Sequence, residues 1–299
     1  MSKVKVRRLG YALGAEITGV DLTRAVDDDV VAEIRKAWLE NVVLCFPRQD
    51  LTPEQLVAFA GRFGEVDDNR ALPNMQNPAC KEILWLENRP SETPVFNRAP
   101  WHTDYDHSVR PTTGTFLNAK ELPPVGGNTA FANMYVAYET LSPALRKVLD
   151  PLEAVHDYSL GHRFLLGNDS PEKQAERMAL FPPIVHRLVR THPETGRKAL
   201  MLGNHLRNFV GMTEEETQPF LTFLNEHAVR YEFVYRHVWS QDDLLLWDNR
   251  CLLHYAVQDF DQQKVVRRMM RASLVGAETG YVYTENGASS LRTLAAVSS

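Results

Sequence analysis

The chain is poor in cysteine, with three in 299 residues at positions 45, 80 and 251 and no CxxC pair. That spacing argues against a disulfide framework and a cysteine-based structural zinc site, and it fits a reducing compartment. Long apolar runs are also missing. No stretch reaches the roughly 20 residues that a membrane-spanning helix requires. The charged start, MSKVKVRRLG, is followed by no apolar core of signal-peptide length. Positive charge is not in excess either. Thirty-three Lys and Arg stand against 38 Asp and Glu, a net charge of −5. This argues against nucleic acid or an anionic membrane as partner. Repeats, low-complexity tracts and linkers are absent, so one domain over 1–299 is expected. With 44% hydrophobic and 24% charged residues the chain can bury a sizeable core. A cytoplasmic protein is expected.

What is present is mostly strand. Residues 3–22 alternate between short strands and glycine turns. Residues 27–41 carry Val30, Ile34, Ala37 and Trp38 at helical spacing. NVVLCFP reads as a buried strand, and Thr52, Pro53 and Gln55 form the capping box of a second helix. From 82 onward strand patterns dominate, among them EILWLEN, TTGTFLNAK, TAFANM, DLLLWDN, LLHYAV and VVRRMMRASLVG. Their spacing is that of a sandwich or barrel. Helices are expected near 136–149, 171–180 and 213–228, the last opened by Thr213 and Glu216 and containing Pro219. The polar segment at about 158–182 reads as an excursion that covers an active site.

The stretch PWHTDYDHS at 100–108 concentrates chemistry. In an extended strand alternate side chains share a side, so His102 and Asp104 point at one spot. Alone, this pair reads either as a strand-edge ion link of little energetic weight or as two ligands of a metal. A facial triad requires two imidazoles and one carboxylate, with positions left open. The third ligand should then come from a distant strand. Of the ten histidines, His107 and His205 sit near expected loops and His162 in the polar excursion. His156, His186, His192, His227 and His237 lie on or beside expected elements, where a satisfied structural role is commoner. His254 differs, because it follows a buried strand, a polar turn and a short apolar return in LLLWDNRCLLH. Thirteen residues later comes Arg267, and Arg267, Met269 and Arg271 alternate onto one face of an apolar strand. Inward arginines are costly unless an anion waits there, and a guanidinium fork suits the distal carboxylate of a small diacid. Trp101 and Trp247 read as packing around the site. Asp106 and His107 read as solvated loop residues.

With these residues in view, the chain resembles the Fe(II)- and 2-oxoglutarate-dependent dioxygenases related to taurine dioxygenase and the phenoxyacetate-herbicide dioxygenases. The resemblance runs nearly end to end, through GAEITGVDL, RFGE, WHTD, KELPPVGGNTAFANMYVAYETL, RTHPETGRKAL, WDNRCLLHYA and RRMMRASL. It implies a mainly β fold with flanking helices around a double-stranded β-helix (jelly-roll) core. It implies that His102, Asp104 and His254 hold iron and that Thr129, in GGNTAF, and Arg267 hold the tail of 2-oxoglutarate. Arg271 matches a second arginine on the substrate side. With O2 as the other cosubstrate, the implied reaction oxidises a substrate C–H bond and releases succinate and CO2. Related halogenases replace the carboxylate ligand with a small residue, so a retained Asp104 points to hydroxylation. Dimers or tetramers are common among such proteins, and a homo-oligomer is expected on that ground.

The chain also departs from taurine dioxygenase, which carries histidines shortly after FGE, one of them on the sulfonate. Here FGEVDDNRALP has none, and the asparagine four residues before the first ligand histidine is Arg98. GNHLRNFVGMTEEE resembles the herbicide-dioxygenase branch instead. The expected substrate is a small organic anion, a carboxylate in preference to a sulfonate, met by Arg271, Arg98, Arg70 and Tyr105. Two readings from other classes stand beside this one. One is a zinc hydrolase at the same triad; the other is a non-catalytic jelly-roll binding protein, which would not need all three ligands and Arg267.

Overall fold

The computed structural model describes residues 4–69, 75–88, 100–161, 170, 172, 176 and 179–284. Its strands, in chain order, are β1 (Lys5–Arg8), β2 (Ala15–Thr18), β3 (Val43–Phe46), β4 (Gln76–Asn77), β5 (Cys80–Asn88), β6 (Gly114–Glu121), β7 (Thr129–Asn133), β8 (Glu153–His156), β9 (Ile184–Arg187), β10 (Val189–Thr191), β11 (Lys198–Leu200), β12 (Leu206–Phe209), β13 (Val234–His237), β14 (Leu244–Asp248), β15 (Leu252–Ala256), β16 (Arg267–Ser273) and β17 (Tyr281–Val282). Eight of them form a sheet in the order β1-β2-β3-β14-β6-β16-β5-β4, antiparallel except for the β2–β3 pair. Opposite lie the sheets β12-β8-β9-β17 and β13-β7-β15. This is the jelly roll, mostly sheet with flanking helices.

Strand alternation sorts side chains into two cores. On β14, Leu244 and Leu246 join the core that α1 (Asp28–Asn41) and α2 (Pro53–Ala60) cover, through Ile34, Trp38, Leu56 and Phe59. Leu245 and Trp247, between them in sequence, join the core between the sheets. Phe116 and Leu117 of β6 divide in the same way, as do Met270 and Met269 of β16. A period of two on a sheet buried on both faces gives this result. Arg267 and Arg271 therefore share the inner side with Met269, as the sequence predicts.

Local signals fix the element ends. Thr52 and Gln55 exchange hydrogen bonds as a capping box with Pro53 in the first turn, and Thr213 and Glu216 do the same for the helix Glu214–Ala228, which continues through Pro219. The single helix expected at 136–149 is two, Met134–Glu139 and Pro143–Leu149. Ser142 caps the second by accepting from the Leu145 amide, and Pro143 can begin a helix but not continue one. Strand β12 falls in GNHLRNFVGM, where no strand pattern shows. The helix expected near 171–180 and most of the 158–182 excursion lie outside the described residues.

Candidate metal centre

The first two ligand candidates arrive by different means from those the sequence suggests. His102 pairs with His254 through one isolated antiparallel bridge, with the two amides donating to the opposite carbonyls at 3.0 and 2.8 Å. The chain then leaves the strand, and Tyr105 takes a left-handed φ of 53°. Asp104 is consequently not aimed by strand pleat alone. Its backbone amide donates to Asn249 Oδ1 at 3.3 Å, and its Oδ2 accepts from the Thr115 hydroxyl at 2.6 Å. Asn249 also donates to Thr115 Oγ1 at 2.8 Å and accepts from the Trp247 indole at 3.0 Å. Neither Thr115 nor Asn249 carries a local signal of this role, although Asn249 lies within WDNRCLLHYA.

The result is a compact trio. One ligand atom from each of His102, Asp104 and His254 lies within 4.8 Å of the others. The imidazole centroids are 4.1 Å apart, and His254 Nε2 stands 3.7 Å from Asp104 Oδ1. His102 Nδ1 is 2.8 Å from the Pro100 carbonyl. That carbonyl only accepts, so Nδ1 carries the proton and Nε2 keeps a lone pair. Burial, with His102 and Arg271 nearby, lowers the pKa of His254 to about 3, which keeps the ring neutral. Burial opposes ionisation of Asp104 too, but Arg271, His254 and His102 outweigh it and lower the pKa to about 2.

Three other groups among the described residues bring ligand types together: Cys45–His237–Asp243, Asp106–His107–His205 and His192–Asp248–Cys251. In two of them ligand atoms are already hydrogen-bonded to one another, and in the third His237 approaches Asp243 without a hydrogen bond. His192 Nε2 is 3.0 Å from Asp248 Oδ2, His237 Nε2 is 3.3 Å from Asp243 Oδ2, and His205 Nδ1 bonds Asp106. No side-chain hydrogen bond joins the members of the His102 trio, whose only mutual hydrogen bonds are the backbone pair between His102 and His254. Two imidazoles and a carboxylate whose side chains are not hydrogen-bonded to each other suit the 2-His-1-carboxylate donor set of a divalent iron site.

One group corrects the sequence reading. Asp106 and His107 are not solvated: Asp106 is fully buried and His107 nearly so. Asp106 bonds His205 from the turn before β12 and His156 Nδ1 from β8 at 3.1 Å, with His107 Nδ1 at 3.7 Å. His205, placed near a loop by the sequence, is buried here as well. Tyr158 and Phe181, at the two ends of the polar excursion, stack at 4.5 Å and meet the His107 ring at 5.0 and 5.7 Å.

Beside the trio lie two arginines with different surroundings. Arg267 donates through Nε to the Gly127 carbonyl at 2.9 Å, and its Nη2 is 3.4 Å from Thr129 Oγ1. Gly127 has a φ of 67°, and a Cβ there would come within 2.8 Å of Pro123 and 3.2 Å of the Arg267 stem, so glycine is required. No acid among the described residues pairs with Arg267. Burial alone lowers its pKa to about 10. Thr129 Oγ1 also accepts from the Trp239 indole at 3.0 Å, which leaves its own proton for a further acceptor. A partly buried guanidinium with no acid beside it, next to a hydroxyl with a proton to donate, has the chemistry to hold a carboxylate. Arg271, in contrast, places Nη2 3.1 Å from Asp104 Oδ1 and lies 6.0 Å over the Tyr105 ring, whose buried hydroxyl meets no partner. Arg70 and Arg98 lie outside the described residues.

Comparison with known proteins agrees with this geometry. The sequence profile of the "Taurine catabolism dioxygenase TauD, TfdA family" matches residues 5–273. An alpha-ketoglutarate-dependent 2,4-dichlorophenoxyacetate dioxygenase of Cupriavidus pinatubonensis is 36% identical over 272 residues, covering 86% of this chain and 93% of the relative. An alkylsulfatase of Acinetobacter baylyi is 32% identical over 91% of this chain and 86% of its own. Among solved structures, AAD-2 in complex with Mn(II) and N-oxalylglycine superposes with a TM-score of 0.80 at 31% identity, over 92% of this chain and 98% of that one.

Proposed function

The chain belongs to the TauD, TfdA family of alpha-ketoglutarate-dependent dioxygenases, and from that premise we propose that His102, Asp104 and His254 hold its iron. In the same reading Arg267 and Thr129 bind the distal carboxylate of 2-oxoglutarate. Arg271 and Tyr105, with Arg98 and Arg70, face a small organic anion that the enzyme hydroxylates. The zinc-hydrolase and non-catalytic readings fall away with family membership, which brings Fe(II), 2-oxoglutarate and O2 as the reacting set.

The bound iron supplies the oxygen chemistry, coupling decarboxylation of 2-oxoglutarate to succinate and CO2 with oxidation of a substrate C–H bond. The chain's own residues do the rest. His102 is held in one tautomer by Pro100, and His254 is kept neutral by burial, so both offer lone pairs at neutral pH. Thr115 and Asn249 fix the plane of the Asp104 carboxylate. Trp247 and Phe131 pack against the His254 ring at 4.9 and 6.4 Å and exclude water from that side. Arg267 fixes the far end of the cosubstrate, and a bound cosubstrate that cannot tumble presents its reactive end in one place.

One observation carries the reading: Arg267, with no acid beside it among the described residues, stands next to Thr129, on the strand that pairs with the strand of His254. A carboxylate substrate is favoured because Arg271 has Asp104 as its only counter-ion among the described residues. Once a cation takes up that carboxylate, Arg271 is left to pair with an anion. The test compares phenoxyacetate with its methyl ester and its amide, following substrate-coupled succinate. The acid should turn over far faster in the wild type, and the difference should shrink in Arg271→Gln. Equal rates for the acid and its neutral forms would remove the anion requirement.

A further inference from the structure

A second pocket of about 530 Å³ opens apart from the metal centre. Its floor is β10 with the adjoining turn at Arg250, and its rim is formed by Ala277 and Thr279 after β16. The size lies within the range of small-molecule sites, and such sites combine apolar walls with few, placed polar groups. Here Val189, Met201 and Pro111 provide apolar wall. The charged lining is Arg187, Arg190, Lys198 and Arg250 against the single acid Asp150.

Most of that charge is spoken for. Lys198 pairs with Asp150 at 2.8 Å, Arg250 with Asp248 and Glu194 at 2.7 Å each, and Arg187 reaches Glu153 at 3.8 Å. Arg190 is the exception. Its Nη2 donates to the Asn249 carbonyl, its Nε is buried with no acceptor, and it has no ion-pair partner among the described residues. Asp248 acts on it from a distance but is already held by His192 and Arg250. A guanidinium held in low dielectric without a counter-ion is costly unless an anion joins it. Its planar fork matches a carboxylate better than a point charge would.

We propose that this pocket is a second binding site, taking a small organic carboxylate whose apolar body lies along Val189 and Met201 and whose charge meets Arg190. The occupant is distinct from the substrate at the metal centre, because none of the three ligand candidates lines this pocket. The site's inner wall is nonetheless one residue away from that centre's support, since Arg190 holds the carbonyl of Asn249, whose side chain orients Thr115 and Asp104.

The experiment titrates 6-fluoro-2-naphthoate into the Fe(II)- and 2-oxoglutarate-loaded enzyme under argon, followed by 19F NMR. Three variants locate the probe. Arg271→Gln removes anion binding at the metal centre, Arg190→Gln removes the pocket's cation, and Ala277→Trp fills the pocket from its exposed rim. Binding should persist in Arg271→Gln and weaken about tenfold or more in the other two, the loss expected for one charge-assisted contact. Ala277 is exposed, so Ala277→Trp removes no buried side chain and decides the matter if Arg190→Gln fails to fold. Binding that vanishes in Arg271→Gln places the probe at the metal centre and overturns the proposal. So does binding undiminished in Ala277→Trp or in folded Arg190→Gln, and so does no binding at millimolar probe. Turnover enters none of these readouts, so their failure leaves the metal-centre assignment standing.

Discussion

If His102, Asp104 and His254 hold the iron as proposed, each offers one ligand atom and none can stand in for another, so each should matter singly. Anaerobic Fe(II) and 2-oxoglutarate should give a weak visible charge-transfer band that His102→Ala, Asp104→Ala and His254→Ala each abolish. An intact band in Asp104→Ala would move the carboxylate ligand elsewhere. Arg267→Lys keeps the charge and loses the fork. A charge-assisted contact is worth roughly 1.5–3 kcal/mol, so 2-oxoglutarate, titrated through the same band, should bind about ten- to a hundredfold more weakly. Unchanged affinity would refute the anchor. Asp106, two residues after Asp104, resembles a silent control by sequence, and the structure reverses that expectation. It is buried and accepts from His205 and His156, so Asp106→Ala leaves both without their acceptor. Each buried donor left without its acceptor costs roughly 1–3 kcal/mol, and two are left here. Urea unfolding of Asp106→Ala should show a loss of that order, and a loss under about 1 kcal/mol would mean the histidines find other partners.

At the scale of elements, β14 bears on both cores at once. Leu246 is fully buried beneath α1 and α2, while Trp247, next in sequence, packs on His254 and reaches Asn249. Leu246→Ala should therefore cost about 2–5 kcal/mol in urea unfolding, yet leave the anaerobic charge-transfer band in whatever fraction remains folded. A band lost in step with nothing but the Leu246 side chain, at full folding, would show that the two faces of the strand are coupled. The pattern of β14 was legible in the sequence as an unbroken apolar run. The turn after it was not, because Asp248, Asn249 and Arg250 look like any polar turn until His192, Thr115 and Glu194 are brought against them. Hydrogen-bond partners 56 or 134 residues away in sequence leave no local signature.

For the whole molecule, pH dependence follows from what the packed sheets bury. His186 is 2% exposed, its Nε2 hydrogen meets the Ser108 carbonyl at 3.0 Å, and its Nδ1 has no partner. Burial, with His156 and Arg190 adding repulsion, lowers its pKa from 6.5 to about 3. Between those values the unfolded chain binds a proton that the folded protein refuses, so stability falls as pH falls from 6.5 toward 3. One such site contributes about 1.4 kcal/mol per pH unit well inside that window. Urea unfolding at pH 7.5, 6 and 5 should show the decline, and His186→Gln should flatten it; an equal slope in the variant would assign it to other groups. The sequence by itself determined the strand-rich fold, the capped helices, the inward side of Arg267 and Arg271, and His254 as the distant candidate that folding brings to His102 and Asp104. All of these rest on periodicity, on caps a few residues long, or on motifs that are contiguous in the chain. Only the tertiary structure decided that Asp106 is a buried hub, that Asn249 and Thr115 steer Asp104, and that Arg190 stands without a counter-ion beside a pocket. Burial and charge pairing belong to side chains that folding brings together from distant strands, and a polar residue in a turn reads the same whether water or a histidine awaits it.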